Sequence, residues 1–279
     1  MSNLRASKPP SLQAARLGAA LALVCWSAHA FAQTPDPHQA QPERPTVATH
    51  AGTVARGWVE LEMGGESDRY ADQSRGALFP MVMKIGVASR AQLSVFGSAV
   101  RPPRGGDAGS SDVAVGGGDL AIGVKWRLAD DLPALGRFAV LPSVKLPTGS
   151  APSGTGTGTT DASVLLISSH DLGPVSLDIN AGYTRRSGSG ITTPKTAMVW
   201  TVSFGGPARD PIGWVAEVYG IPATSGPAGQ ERLVAALFGP TVTLRSWLVL
   251  DAGAIVPIAG PQPHAIYAGA TWNVGRAWK

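Results

Sequence analysis

The chain is poor in the residues that most soluble enzymes and small secreted domains rely on. Its 279 residues include a single cysteine, Cys25, and five histidines, and charged residues make up only 15%. One cysteine in the leader region excludes a disulfide framework and thiol chemistry in the rest of the chain. His29, His38, His50, His170 and His264 show no metal-ligand spacing, so no metal site is expected. There is no apolar run of the roughly 20 residues that a membrane-spanning helix needs. A nucleic-acid footprint is also missing. Three of the 23 Lys and Arg (Arg5, Lys8 and Arg16) fall in the first 32 residues, where no acid occurs. From Gln33 onward 20 bases therefore face 19 acids.

Those first 32 residues read as a cleaved export signal. A basic leader ends at Arg16, an apolar run follows over 17–26, and Ala28-His29-Ala30 and Ala30-Phe31-Ala32 are small-x-small cleavage sites. Residues 33–55, rich in Pro, Gln and Thr, are expected to form a disordered periplasmic lead-in. The remainder, 56–279, is expected to be one barrel domain.

That remainder is rich in period-2 segments bounded by turn residues. In the clearest, Leu120, Ile122, Val124, Trp126 and Leu128 share one parity, and Asp119, Ala121, Gly123, Lys125 and Arg127 share the other. Side chains alternate across a strand, so this strand has an apolar face and a polar or small face. The segment 137–146 repeats the pattern, with Leu141 as an apolar exception on the polar side. Twelve such segments are expected, and the connections between them alternate in length. They are mostly long and Gly/Pro/Ser-rich after odd strands, and mostly tighter after even ones. The fold class expected is all-β: an antiparallel transmembrane β-barrel of about twelve strands. Both termini lie in the periplasm and the long loops lie outside. Pro80, Pro142 and Pro240 interrupt strands and are expected to mark bulges or strand breaks.

The polar parity supplies the candidate lumen-lining residues: Glu60, Glu62, Asp119, Lys125, Arg127, Arg137, Lys145 and Asp178. They form either a solute pathway or a plug of lumen salt bridges, and a barrel near twelve strands is compatible with both. Ser168-Ser169-His170-Asp171 brings together residue types found in hydrolases. Neighbours on a strand point apart, so it reads as a strand end, and no catalytic residues or cofactor are expected. Gly154–Gly158 lacks the lysine and helix of a phosphate loop. Arg101, Arg104, Arg185 and Arg186 fall on the outer side, as solvated loop charge or as contacts to lipopolysaccharide phosphates.

An ordered set of motifs carries a family resemblance. Gly118-Asp119-Leu120 leads to Gly123-Val124-Lys125-Trp126-Arg127-Leu128. Then come Lys145-Leu146-Pro147-Thr148-Gly149-Ser150, the loop 154–161 and Asn180-Ala181-Gly182-Tyr183. Together they resemble the outer-membrane family named for the MetA pathway of phenol degradation. The resemblance implies an outer-membrane barrel that passes small molecules, in some bacteria encoded near aromatic degradation pathways. It brings no catalytic residues. The partners expected are outer-membrane lipid and lipopolysaccharide, together with a small solute that is apolar or aromatic. The alternatives are a closed-lumen barrel serving structure or surface interaction and, more remotely, a lipid-modifying barrel enzyme.

Overall fold

In the computed structural model, which describes residues 36–104 and 115–279, strands do all the crossing. Among the described residues no helix is long and apolar enough to span a membrane. The export signal and Cys25 lie outside these residues. Long strands follow one another in the chain: β1 (Trp58–Arg69), β2 (Arg75–Ala88), β3 (Ala91–Arg104), β5 (Leu120–Leu132), β6 (Gly136–Leu146) and β7 (Asp161–Leu172). β8 (Val175–Arg186), β9 (Thr196–Arg209), β10 (Ile212–Ile221), β11 (Leu233–Arg245), β12 (Leu248–Ala259) and β13 (His264–Arg276) complete the wall. The two-residue β4 (Gly116–Gly117) pairs with the upper part of β3. Every neighbouring pair is antiparallel, and β1 pairs with both β2 and β13, which closes the sheet. Closure leaves no strand edge to hydrogen-bond in lipid.

The first and last strands of the wall meet at one end, where the amide of Ala277 donates to the carbonyl of Gly57 at 2.7 Å. The tight connections lie at that end too: 89–90, 133–135, 173–174, 210–211 and 246–247. The opposite end carries the longer ones, such as 147–160, 187–195 and 222–232. In the 173–174 turn Gly173 adopts φ +72°, a conformation open to glycine, and Pro174 then fixes the return. This asymmetry marks the terminal end as periplasmic.

Alternating exposure separates the two faces of the wall. Leu120, Ile122, Val124, Trp126 and Leu128 are exposed on the outer face, whereas Lys125 between them is fully buried. An apolar belt of this extent fits lipid rather than water.

The three strand prolines do not mark bulges or breaks, contrary to expectation. Each pairs normally on one side: Pro80 with Ser98, Pro142 with Val164, and Pro240 with Trp214. On the other side the ladder skips a step and resumes in the same register. The pairs around the gaps are Met63↔Met81 and Glu66↔Leu78, Gly123↔Ser143 and Trp126↔Val140, and Phe238↔Ala254 and Thr241↔Asp251. A proline lacks only its N–H, so the pairing is interrupted locally, over two residue pairs in each case, and the strand runs on.

The face assignment gives a direct test. Val124 is 41% exposed on the outer belt, so Val124→Arg is expected to cost about 2–4 kcal/mol near the bilayer midplane. Heat-modifiable gel mobility after refolding should show a reduced folded band, while Leu135→Arg at the periplasmic turn should leave it unchanged.

Candidate functional site: a strap across the lumen

The expected disordered lead-in is not what residues 37–56 form. This segment crosses the barrel interior as an irregular strap, with Ala48, Ala51 and Val54 almost fully buried. The physical reason lies in the wall. An irregular chain has no ladder partners of its own, so its N–H and C=O groups need others. Inward side chains from strand after strand supply them.

The strap enters at the periplasmic end. The His38 ring stacks on Trp247 at 6.0 Å and tilts against Trp58 at 4.9 Å. The Asn273 amide donates to the carbonyls of Pro37 and Gln39, each at 3.3 Å. The Glu60 carboxylate accepts the Gln41 amide, and the Glu62 carboxylate accepts the Glu43 amide, both at 2.7 Å. Arg44 then reaches Asp251 at 3.1 Å. Its guanidinium lies on the paired glycines Gly64 and Gly269, where an added Cβ would approach it to 2.4 Å. Glycine at both positions is what admits the arginine.

Further along, Glu217 accepts two consecutive strap amides, Val47 at 2.8 Å and Ala48 at 2.7 Å. Asn180 reads Thr49 as a strand would: its Oδ1 accepts the Thr49 amide at 2.7 Å and its Nδ2 donates to the Thr49 carbonyl at 3.0 Å. Ser169 Oγ accepts the Ala51 amide, and Gln92 Oε1 accepts that of Val54. Ala51 packs with Ala139, Leu141 and Ile167, which explains why the odd apolar residue of β6 faces inward. The strap leaves beside Gly86, whose carbonyl accepts the Gly57 amide at 2.7 Å.

The charges inside are matched. Lys84, fully buried, meets Glu60 at 2.5 Å, Glu62 at 2.7 Å and the Gln41 carbonyl at 2.6 Å. Lys125, also fully buried, pairs with strap Glu43 and donates to the His50 carbonyl at 3.0 Å. Burial would raise the Glu43 carboxyl, but Lys125 and Lys84 hold it far below the ordinary carboxylate range. Burial, reinforced by Lys125 and Lys84 against the pull of Glu43, pushes the His50 imidazole down to about 3.

The eight sequence-derived candidates do not form one site. Glu60, Glu62 and Lys125 contact the strap. Asp178 lies beside them, accepting from Ser169 Oγ. Arg127 and Arg137 sit at the periplasmic rim, paired with Asp130 at 3.0 Å and Asp171 at 2.5 Å. Asp119 and Lys145 pair at 2.7 Å at the outer rim. There Lys145 also reaches Asp161 at 3.3 Å, and the Asp119 carboxylate accepts the Gly149 and Thr157 amides, folding the 147–160 loop onto the barrel mouth. Burial raises the Asp119 carboxyl, but Lys145 and these amides outweigh it and bring it down to about 2.

Of the wall acids, Glu60 and Glu62 pair with Lys84 and Asp119 pairs with Lys145, while the carboxylate partner of Lys125 comes from the strap. Sequence reasoning missed Lys84, Gln92, Asn180, Glu217, Asp251 and Asn273. All were visible as polar residues inside apolar alternation. Ser168 and His170, two apart and hence on one face, do touch at 2.9 Å. The Ser168 hydroxyl donates to the Leu135 carbonyl at 2.7 Å, which ties down the neighbouring turn.

No family model matches the sequence, and no curated protein matches it. Solved structures do. An outer-membrane channel from Pseudomonas putida F1 superposes with a TM-score of 0.59 at 11% identity, over 86% of this chain and 99% of that one. The NanC porin superposes with a TM-score of 0.52 at 7% identity, over 77% of this chain and 100% of the porin. The fold is that of an outer-membrane β-barrel.

Two outcomes follow for the strap. Glu217→Ala removes the acceptor of two buried amides, each worth about 1–3 kcal/mol when left unpaired. The barrel should stay folded while hydrogen exchange at Val47 and Ala48 accelerates. The second outcome concerns pH. A released His50 titrates near 6.5 and a docked one near 3, so only the released strap binds the proton between those values. Docking is at full strength above about pH 6.5 and weakens as pH falls toward 3, with Glu43 adding to the loss once ordinary carboxylates protonate. The protection of strap amides, taken relative to their intrinsic exchange rate at each pH, should fall from pH 7 to pH 4, and His50→Gln should remove the part of the fall above pH 5.

Proposed function

We propose that this chain is an outer-membrane channel for small molecules, closed in the state described here by its own residues 37–56. The observation that carries this reading is the way the strap is held. Wall side chains grip it mainly through its main chain, and it adds no strand to the barrel, so it can leave without breaking the closed sheet. The fold shared with an outer-membrane channel and a porin supports the reading. So do the motifs by which the sequence resembles the phenol-degradation family.

The inner wall also suggests the class of solute. The inward side chains Val215, Tyr219, Leu237, Ile255 and Tyr267 of β10–β13 form a buried apolar cluster, while β1, β2 and β5 present Glu60, Glu62, Lys84 and Lys125. A lumen with one apolar side suits a small molecule with an aromatic or apolar body, and passage rather than catalysis. A second reading, a permanently closed structural barrel, is favoured by the fully buried Lys84–Glu60–Glu62 cluster. Buried charges of this kind stay put unless each keeps a partner.

Deleting residues 38–55 separates the two. The channel reading expects a folded, heat-modifiable barrel with conductance well above that of the intact chain, and faster liposome entry of a neutral aromatic solute. A folded deletion variant that conducts no better than the intact chain would establish the closed barrel.

A further inference from the structure

We propose that the outer face of the barrel carries a lipid A site, built for the bisphosphorylated, multi-acyl glycolipid of the outer leaflet. It lies on β13, β1, β2 and β3, outside the lumen and independent of any passage through it.

Backbone register places three arginines close together at the outer end of adjacent strands. Arg69 on β1 pairs with Arg75 on β2, and Arg101 on β3 lies just below this row, opposite Ala77. Adjacent strands lie about 4.8 Å apart, so the group spans roughly 10 Å from β1 to β3. No ion pair neutralises Arg69, Arg75 or Arg101 among the described residues. The Arg69 guanidinium donates to Gln73 Oε1 at 2.6 Å, and the Nε of Arg101 is buried without a hydrogen-bond partner. The nearby acids do not offset them. Glu66 and Asp68 take the inward parity of β1, and the Asp72 carboxylate accepts the Ser74 amide. At the periplasmic rim, by contrast, Arg90, Arg127 and Arg137 are matched by Asp130 and Asp171.

Beneath the row, the apolar belt is grooved. One groove of about 440 Å³ has small residues, Gly65, Ala77 and Ala268, between the flanks of Phe79 and Ile266, with Arg101 among its lining residues. A second, of about 380 Å³, lies on the other side of Ile266, lined by Ala254 and Val256 and by Arg69 and Arg75. Ile266 is the ridge between them and, at 69%, the most exposed large apolar side chain described.

Two parallel apolar grooves suit acyl chains lying side by side. Three arginines spread over about 10 Å suit two phosphates on a disaccharide better than the single phosphate of a glycerophospholipid. Guanidinium groups pair with phosphate through strong charge-assisted hydrogen bonds.

The test uses the full chain in detergent, titrated with bisphosphorylated lipid A, with dephosphorylated lipid A or with phosphatidylglycerol. The readouts are the heat-modifiability midpoint and lipid retention in native mass spectrometry. Bisphosphorylated lipid A is expected to raise the midpoint and remain bound, and the other two are not. Arg69→Ser/Arg75→Ser/Arg101→Ser should weaken binding by about 10-fold or more. Ala268→Trp should block a groove and abolish retention with every arginine in place, while Arg209→Ser/Arg245→Ser at the periplasmic end should bind as the parent does. Equal binding of phosphatidylglycerol, no shift of the intact chain by lipid A, or full binding by the triple variant would overturn the proposal. If a variant fails to fold, the three-lipid comparison on the intact chain decides alone. Conductance is not a readout here, so failure of the channel reading and failure of this one are distinguishable.

Discussion

The interior of this barrel is governed by one requirement: every polar group of an irregular segment threaded through it must find a partner on the wall. A β-strand in the wall satisfies its own main chain through the ladder. Residues 37–56 have no such ladder, and their amides and carbonyls are buried. Glu60, Glu62, Glu217, Asn180, Ser169, Gln92 and Asn273 stand in for a missing neighbouring strand. This makes sense of a wall that carries so many desolvated polar side chains, and of why they come from β1, β3, β7, β8, β10 and β13 rather than from one side. The same requirement explains the charges. Lys84 and Lys125 are tolerated at full burial because strap groups, Gln41 and Glu43, complete their coordination.

Glycine placement follows from the same constraint. Arg44 can lie flat against the wall only where two paired positions, Gly64 and Gly269, carry no side chain. Lys125→Leu therefore means something different from what the strand pattern alone implies. It does not simply thin a hydrated lumen. It removes the ion-pair partner of the buried Glu43 carboxylate and leaves only the more distant Lys84 to offset it, a loss that falls on strap docking rather than on the barrel.

The fold was legible because period-2 alternation and loop asymmetry are local signals, each written into ten or so residues. The inward parity of β1 and β5 followed from that alone, as did the outer belt of Leu120 to Leu128. The prolines were misjudged because sequence shows a missing N–H but not which neighbour it faces. Here each proline turns its missing donor to one neighbour and keeps the other ladder intact. The strap was illegible for a related reason. Pro, Gln and Thr in 37–49 lack periodicity whether the segment is free or bound, and what orders it lies up to more than two hundred positions away, at Asp251 and Asn273. The pairing of Lys125 was lost with it, since its partner Glu43 belonged to a stretch expected to be disordered.

A side chain that grips main chain is nearly indifferent to the sequence it holds. Glu217 and Asn180 hold only the main chain at 47–49, so specificity resides in the contacts that read side chains: the small buried sites of Ala48 and Ala51, His38 between Trp58 and Trp247, Arg44 on Asp251, and Glu43 on Lys125. The last three are also the contacts that respond to charge. The strap is thus fixed in place by many sequence-tolerant bonds and fixed in register by a few contacts that read side chains. A segment attached in this way can be released as a unit once those few are lost, because no remaining bond requires any particular residue to stay where it is.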